Sequence, residues 1–361
     1  MSDANELISF IASMSGEGNL RVEENLGEGY VRLRVSEAER RQAKHDIQHV
    51  EDIVIEMLRN ARDAGADKVY LATTKEDGVR TLVFLDNGSG VPQDMQERIF
   101  DARVTSKLES MKMDRWGVHG RGMALFSIKQ NTDEARVVAS DVDLGSVFKV
   151  SVDTDRLGER ADQSSWPQAV KDEDGRYVCA RGPHNIIRAA CEFALEELRA
   201  CDVYLGSPSE IAATLHAQAS SRLDASRLLF IDDEAELPVV DRLGLASDAE
   251  DFIRICSGLG LEMSERTAHR ILAGQIKPVR GVTARLLRER DSSSHASAPV
   301  DLAKDRRGLR IAKDDMAQFS RAVERDFNDL ASRYYLNLCG DPKIRVSRDR
   351  ITVTFDLAKE E

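Results

Sequence analysis

The chain has 361 residues, of which 42% are hydrophobic and 32% charged, and its formal net charge is −12. This composition predicts a globular protein with two or three domains. The negative charge excludes a surface that is basic all over, so any contact with nucleic acid must be local. No apolar run is long enough to predict a membrane span, and residues 1–6 lack the features of a signal peptide.

The cysteines are odd in number and form no Cys-x-x-Cys pair. We therefore expect reduced, mostly buried thiols in a cytoplasmic protein, and no zinc site. The five are Cys179, Cys191, Cys201, Cys256 and Cys339.

Helical and strand patterns alternate in the first half of the chain. Apolar residues recur at three- and four-residue steps from 37 to 64, which predicts one amphipathic helix that ends at Gly65. In chain order we predict a helix at 5–15, a strand at 29–35, this long helix, a hairpin of strands at 68–73 and 80–85, a short helix at 95–100, a helix at 122–129, and strands at 135–140 and 146–152.

The second half has a mainly helical pattern. Charged and glycine-containing residues at 161–185 predict a linker or long loop, and the Ser-rich stretch at 292–299 predicts a flexible linker. The other predicted elements are helices at 186–201, 209–223 and 312–335, helical pieces within 249–287, a buried strand at 228–231 and a terminal hairpin at 343–355.

Three polar residues share one face of the long predicted helix. Glu56, Asn60 and Asp63 lie at positions i, i+4 and i+7. An Asn oxygen is a suitable ligand for the Mg²⁺ that accompanies a triphosphate. A carboxylate one turn earlier can orient and deprotonate an attacking water. Asn60 therefore suits a metal ligand and Glu56 suits a general base, the roles that the family resemblance described below implies for them; the alternative is a solvated helix face.

An acidic residue and two glycines follow the strand predicted at 80–85. The Asp86 carboxylate can accept a hydrogen bond from the exocyclic amine of adenine, while Gly88 and Gly90 let the backbone approach the base. Taken alone, the same string is also typical of a turn without a ligand.

A glycine-rich segment, Gly117-Val-His-Gly120-Arg-Gly122, precedes the helix predicted at 122–129. Backbone amides at a helix N-terminus bind phosphate oxygens. The segment is not a Walker A loop, because no Gly-Lys-Ser/Thr follows, and it does not follow a strand as a dinucleotide fingerprint would. Together, the three motifs in this order predict an ATP site.

The order and spacing of these motifs resemble the GHKL superfamily of ATPases, the group of gyrase, Hsp90, MutL and histidine kinases. The resemblance covers roughly residues 30–155 and implies ATP and Mg²⁺ as cofactors. Thr105-Ser-Lys107 is similar to a segment of MutL proteins, and the glycine-rich segment is similar to that of the B subunit of type IIB topoisomerases. Ser146 stands where the family has the Thr of a Gly-Thr-x-Phe strand.

The resemblance also implies roles for further residues. Asp63 would support the hydrogen bonds around the first motif, and Thr105 and Lys107 would belong to a lid that closes on the nucleotide. Lys277 is the best candidate for a lysine that reaches the γ-phosphate from the following domain, with Lys304 and Lys343 as rivals. A histidine kinase needs a phosphoacceptor helix well upstream of the first motif. This class is disfavoured, because His45 and His49 lie on the same predicted helix as that motif and leave no room for a dimerisation hairpin.

We accordingly expect an α+β fold: a Bergerat-type α/β sandwich with a mixed sheet and helices on one face, then a mostly helical domain, then a small C-terminal α+β element. The expected boundaries are 1–160 for the ATP-binding domain, 161–185 for the linker, 186–291 for the helical domain and 300–361 for the last element.

Residues 264–290 contain seven basic residues and two glutamates. A helix capped by Ser264 after the turn at 258–260 predicts a helix-turn-helix that contacts DNA phosphates. The alternative is a basic helix face that is packed or solvated. The basic residues are Arg266, Arg270, Lys277, Arg280, Arg285, Arg288 and Arg290.

From these features we predict a slow, Mg²⁺-dependent ATPase that couples the opening and closing of a homodimer to a DNA transaction. A nuclease or a topoisomerase-like protein would be its partner. The alternatives are an Hsp90-like or MORC-like ATPase that acts on protein clients, and a nucleotide-sensing regulator with little turnover.

Overall fold

The structure is a computed structural model in which the chain divides into two compact units, Met1–Ser292 and Ser293–Glu361. The residues described are 22–106, 112–119, 122–160, 162–198, 200–223, 231 and 233–287 in the first unit, and 316, 319–320, 323–324, 327, 336–340, 342–346 and 351–359 in the second. The helix predicted at 5–15 and the linker predicted at 292–299 lie outside these residues, as do most of the strand predicted at 228–231 and most of the helix predicted at 312–335.

The described part of the first unit contains twelve strands, seven α-helices and four 3-10 helices, two of which, Gln93–Met95 and Arg98–Phe100, replace the short helix predicted at 95–100. The strands are β1 (Val22–Gly27), β2 (Tyr30–Leu33), β3 (Lys68–Glu76), β4 (Val79–Asp86), β5 (Val104–Thr105), β6 (Lys112–Asp114), β7 (Gly117–His119), β8 (Glu134–Ser140), β9 (Ser146–Asp153), β10 (Gln168–Lys171), β11 (Tyr177–Arg181) and β12 (Asp202–Gly206). The helices are α1 (Glu37–Asp46), α2 (Val50–Asp63), α3 (Ala124–Asn131), α4 (Ile186–Glu196), α5 (Pro208–Arg222), α6 (Ala249–Gly258) and α7 (Glu265–Leu272).

A five-stranded mixed sheet forms the centre of this unit, in the order β12-β3-β4-β9-β8. β12 pairs parallel with β3, whereas the other neighbouring strands are antiparallel. The predicted hairpin of β3 and β4 is confirmed, and Asp77 and Gly78 form its turn with positive φ angles of 47° and 83°. This mixed sheet with helices agrees with the expected α+β class.

The long helix predicted at 37–64 is two helices, α1 and α2, so that prediction was wrong. Ile47 and His49 have extended backbone conformations that separate them. The Asp52 carboxylate accepts hydrogen bonds from the backbone amides of Gln48 at 3.0 Å and His49 at 2.9 Å. Since the first amides of a helix lack partners within the helix, this side chain favours a new helix start at that point.

Both faces of the sheet are covered by helices, which corrects the expectation of helices on one face only. Along β3, Val69 and Leu71 pack in a first core with residues of α2 and α4, whereas Tyr70 and Ala72 pack in a second core with residues of α5, α6 and α7. All four side chains are buried. Such a continuous buried run is typical of a strand with both faces covered.

The segment expected to be a helical domain at 186–291 packs against the same sheet and does not form a compact unit of its own. α4 contributes to the first core, and β12 extends the sheet beside β3. The segment expected to be a linker at 161–185 contains the antiparallel hairpin of β10 and β11. Residues 186–291 belong to the first unit because apolar residues of α4 and α5 are buried against the two faces of its sheet.

Smaller sheets complete the described structure. β1, β2 and β5 form a three-stranded sheet, and β6 pairs with β7. In the second unit, the predicted terminal hairpin is confirmed as β14 with β15, and β13 pairs with β16. None of the helices in the described part of the chain is both long and apolar enough to cross a membrane. The strands of the second unit are β13 (Leu336–Leu338), β14 (Lys343–Val346), β15 (Ile351–Thr354) and β16 (Leu357–Lys359).

Candidate nucleotide-binding site

A cavity of about 580 Å³ is lined by residues of α1, α2 and α3, of β4 and β9, and of the loop that follows β4. Its described lining contains more carboxylates than guanidinium groups. A bare triphosphate would be repelled by such a wall, so the cavity suits a nucleotide that a divalent cation accompanies. The carboxylates are Glu39, Asp46, Glu56, Asp63 and Asp86, and the guanidinium groups are Arg59 and Arg103.

The three polar residues predicted on one helix face all line this cavity from α2. The Asn60 amide nitrogen is buried and has no hydrogen-bond partner within the described structure. A buried polar group without a partner costs free energy, and which end of an Asn amide is oxygen is assigned rather than observed. Asn60 therefore has unmet bonding capacity at the cavity wall, which fits a ligand of a hydrated Mg²⁺.

Glu56 and Asp63 are each held by an arginine of the same helix. Oε1 of Glu56 accepts from Nη1 of Arg59 at 2.6 Å, and Oδ1 of Asp63 accepts from Nε of Arg62 at 3.1 Å. The Glu56 side chain is 21% exposed, whereas that of Asp63 is 5% exposed. Of the two carboxylates, Glu56 is therefore the one that solvent water reaches.

Asp86 lies at the end of β4 and is only 3% exposed. Its Oδ1 accepts from the backbone amide of Gly88 at 2.8 Å, and its Oδ2 accepts from the Ser146 hydroxyl at 2.7 Å. An ionised carboxylate has about four acceptor positions. Asp86 can thus keep both bonds and still accept one from the amine of a bound base, which fits adenine.

Two glycines permit close backbone approaches around the cavity. Gly90 has φ +70°, and a Cβ there would lie 1.8 Å from the carbonyl oxygen of Asp141. Gly122 has φ +67°, and a Cβ would lie 2.8 Å from the carbonyl oxygen of Val104. Both residues line the cavity. A side chain at either position would push the loops apart, which accounts for the glycines of the second and third motifs here.

On the opposite wall of the cavity, Glu39 meets Arg103, a pairing that the sequence patterns did not identify. Arg103, with φ 63°, donates its backbone amide to the carbonyl of Gly122, and its guanidinium pairs with Glu39 of α1. Burial alone would raise the pKa of Glu39, but hydrogen bonds from Ser36 and Arg103 lower it below its usual value. Ser36 and Glu39 form a capping box at the start of α1, but no local sequence pattern showed that Glu39 also faces the cavity.

The lid residues predicted from the resemblance are only partly described. Thr105 lines the cavity from β5, whereas Lys107 and Gly120 lie outside the described residues. Gly88 contacts Ala64 and Asp86 next to the cavity but does not line it.

Lys277 is not among the residues that line the cavity. It is exposed, and its neighbours Ile276 and Val279 pack against the second core, on the other face of the sheet. The rival Lys304 lies outside the described residues, and Lys343 is exposed in the second unit, where it pairs with Asp356.

The part of the chain that contains this cavity matches a known protein family. Residues 47–158 match the family described as histidine kinase-, DNA gyrase B- and HSP90-like ATPase. The matched span includes α2, β4, α3 and β9, and residues within this span form most of the cavity lining.

Curated relatives match about a quarter of the chain. The DNA mismatch repair protein MutL of Thermodesulfovibrio yellowstonii is 33% identical over 98 residues, which is 26% of this chain and 18% of that protein. MutL of Pediococcus pentosaceus is 33% identical over 90 residues, 24% of this chain and 14% of that protein. MutL of Staphylococcus aureus is 34% identical over 113 residues, 28% and 17% respectively. The chain therefore spans less than a fifth of the length of these relatives.

The cavity and its motifs define a nucleotide-binding domain of the α+β class. More particularly, residues 47–158 are a GHKL-type ATP-binding domain, a member of the histidine kinase-, DNA gyrase B- and HSP90-like ATPase family, with a distant and partial similarity to MutL. The resemblance stated from the sequence is thus confirmed for this part of the chain.

Proposed function

We propose that the chain is a Mg²⁺-dependent ATPase that hydrolyses ATP slowly. One observation carries this proposal: Glu56 and Asn60, one turn apart on α2, line the same cavity as the buried acceptor Asp86. The family match supports ATP as the ligand. The partly exposed Glu56 carboxylate supports turnover rather than binding alone, since a general base must reach a water molecule.

Each residue has a distinct role in this proposal. Asp86, with Ser146 and Gly88 fixing its oxygens, accepts from the adenine amine. Asn60 holds the metal through its side-chain oxygen, and the bound Mg²⁺ supplies neutralisation of the triphosphate charge. Glu56 orients a water and takes its proton. The backbone at Gly122, next to the start of α3, offers amides to phosphate oxygens, as helix N-termini do.

The base assignment is tested with Glu56→Ala. We expect this variant to bind a fluorescent ATP analogue with nearly unchanged affinity while its hydrolysis rate falls at least about 100-fold. Glu76→Ala is the matched control, because Glu76 is an exposed carboxylate at the far end of β3 and does not line the cavity. Hydrolysis by Glu56→Ala at the wild-type rate would show that another group is the base.

We further propose that ATP turnover serves a DNA transaction with a partner such as a nuclease or topoisomerase-like protein, in a homodimer. The supporting observation is an exposed basic surface around α7, which includes Arg266, Arg270 and the nearby Lys277 and Arg280. Arg285 stacks on Trp166, with its guanidinium carbon 3.9 Å from the ring centroid, so we exclude it from this surface. Phosphates of DNA are bound by such clustered cations.

This DNA contact is tested by neutralising Arg266, Arg270 and Arg280 together to alanine. We expect salt-dependent binding of duplex DNA, and any stimulation of ATPase activity by DNA, to be lost. A control with Arg41, Arg136 and Arg156 changed to alanine removes the same charge from exposed positions elsewhere. Equal losses in both variants would indicate net charge alone. No DNA binding by wild type would favour action on protein clients, or a nucleotide sensor with little turnover.

A further inference from the structure

A buried arginine holds the proposed general base. Arg59, on α2, is 2% exposed. Its Nη1 donates to Oε1 of Glu56 at 2.6 Å, while its Nε and Nη2 donate to the two carboxylate oxygens of Asp114, both at 2.9 Å. One planar guanidinium therefore bridges two carboxylates. One is Glu56 of α2, which lines the cavity, and the other is Asp114 of β6, which follows Arg59 by 55 residues in the chain.

The fork geometry of this contact limits where the Glu56 carboxylate can lie. The bidentate bond to Asp114 fixes the plane of the guanidinium, and Nη1 then presents its donor in one direction. Arg59 thus orients Glu56.

Asp114 anchors the other end of this contact. Its side chain is 7% exposed and also accepts from Nη1 of Arg62 at 3.2 Å and from the backbone amide of Trp116 at 3.0 Å. Asp114 lies in the hairpin of β6 and β7, and β7 contains the first residues of the glycine-rich segment that ends at Gly122. Arg59 therefore joins the base to the segment that would contact the phosphates.

We infer that Arg59 is a positioning residue for hydrolysis, which sets the Glu56 carboxylate according to the position of the β6–β7 hairpin. The inference rests on the proposed ATPase function. It goes beyond that function because it assigns a role to a residue that acts through Glu56, and because it connects the position of the hairpin to the position of the base. A movement of Asp114 would shift the guanidinium and, with it, the carboxylate that holds the water.

A purely structural role would be different in its consequences. If Arg59 only tied the hairpin to α2, its replacement would lower stability and reduce ATP binding and hydrolysis together. If Arg59 positions Glu56, replacement lowers kcat while KM and the binding of ATP change little, because misplacing a catalytic group by about 1 Å can cost about 100-fold in rate.

The experiment compares Arg59→Gln and Arg59→Lys with wild type and with Arg80→Gln. Arg80 is the matched control because it is also buried, at 8% exposed, and also pairs with a carboxylate, Glu159 at 2.6 Å, but it does not line the cavity. Steady-state kcat and KM are measured and normalised to the fraction of molecules that bind a fluorescent ATP analogue. Thermal melting is recorded for every variant.

We expect Arg59→Gln to lower kcat about 10- to 100-fold with KM changed less than about threefold. Arg59→Lys keeps a cation but lacks the fork, so its kcat is expected at least about threefold below wild type and above that of Arg59→Gln. Arg80→Gln is expected to keep the wild-type kcat per binding-competent molecule.

Two results would overturn the inference. One is a wild-type kcat in Arg59→Gln or, if that variant does not fold, in Arg59→Lys. The other is an equal fall of kcat in Arg59→Gln and Arg80→Gln, which would indicate a general loss of stability. Failure of the proposed function is distinguishable from both, because in that case wild type itself would not hydrolyse ATP.

Discussion

The cavity beside α2 and the basic surface around α7 are associated with opposite faces of one sheet, and their charged residues are held in different ways. In the cavity, Asp86 and Glu56 accept hydrogen bonds from fixed partners. Around α7, Arg266 and Arg270 are exposed and make no ion pair within the described part of the chain. Fixed polar groups can provide geometry for chemistry, whereas mobile surface cations provide only a local charge.

Because of this difference, the two regions are unequal in how specifically they select a ligand. The ATP site rests on several residues whose positions depend on one another, so the cavity makes specific demands on a ligand. The basic surface demands only a negatively charged partner. Substitutions of the fixed polar groups in the cavity should therefore affect stability, ligand affinity or turnover, and substitutions around α7 should change charge alone.

The largest expected effect comes from Asp86→Asn. Asn has nearly the same size but replaces an acceptor oxygen by an amide donor, which conflicts with the Gly88 amide when it stands in place of Oδ1 and with the adenine amine when it stands in place of Oδ2. We expect a loss of ATP affinity of at least about 100-fold, measured by calorimetry. Asp133→Asn, which changes an exposed aspartate, is the control.

An Asp86→Asn variant that binds ATP as wild type does would contradict adenine recognition by this carboxylate. It would also weaken the contrast between the two regions, because a buried and hydrogen-bonded acid would then be purely structural.

A smaller expected effect concerns the backbone around the cavity. Gly90 and Gly78 both have positive φ, but a Cβ at Gly90 meets the Asp141 carbonyl at 1.8 Å, whereas a Cβ at Gly78 meets nothing within 4 Å. We expect Gly78→Ala to lower the free energy of unfolding by about 1 kcal/mol and Gly90→Ala by about 2–4 kcal/mol. Urea denaturation measures both, and equal losses would show that the loops separate at little cost.

Much of the cavity could be predicted from the sequence because its first motif is local. Glu56, Asn60 and Asp63 lie on one face wherever residues 56–63 are helical, and the structure places all three at the cavity. Asp86 directly follows a run of apolar residues, so its place at a strand end was also predictable. The roles of these residues remain predictions that the experiments above test.

What could not be predicted depends on contacts between distant residues. Arg59 and Asp114 are 55 residues apart, and Glu39 meets Arg103 across 64 residues, so no periodicity connects either pair. The addition of β12 beside β3 could not be predicted either, because the apolar pattern of a strand does not name its neighbour. For the same reason the segment after residue 186 resembled a separate domain.

A modest effect is expected for Ser146→Ala. The Ser146 hydroxyl donates to Oδ2 of Asp86, and its loss removes one hydrogen bond to a buried charge. We expect ATP affinity to fall about five- to tenfold, and Ser146→Thr, which retains the hydroxyl, to bind nearly as wild type does. Ser151→Ala is the control on the same strand, because Ser151 faces Thr81 away from the cavity. If Ser146→Thr loses as much affinity as Ser146→Ala, packing rather than the hydroxyl is decisive.

The smallest expected effect is at Glu39. This residue lines the cavity, as the fixed polar groups do, but its side chain is 36% exposed and in this respect resembles the cations around α7. Burial alone would raise its pKa, but hydrogen bonds from Ser36 and Arg103 hold the pKa below its usual value of 4.5. The unfolded chain therefore binds more protons at this residue as pH falls below that value. The stabilisation is present above about pH 4.5 and is lost as pH falls through the lower pKa of the folded state.

Glu39→Gln tests this sign. Gln also serves at the third position of a capping box, so the start of α1 is preserved while the charge is removed. We expect the free energy of unfolding to fall by less than about 1 kcal/mol at pH 7, since solvent screens a partly exposed pair, and the stability of the variant to depend less on pH below 4.5 than that of wild type. Parallel pH curves for the two proteins would mean that Arg103 does not hold Glu39 in solution, and the wall of the cavity would then resemble the loosely held surface around α7.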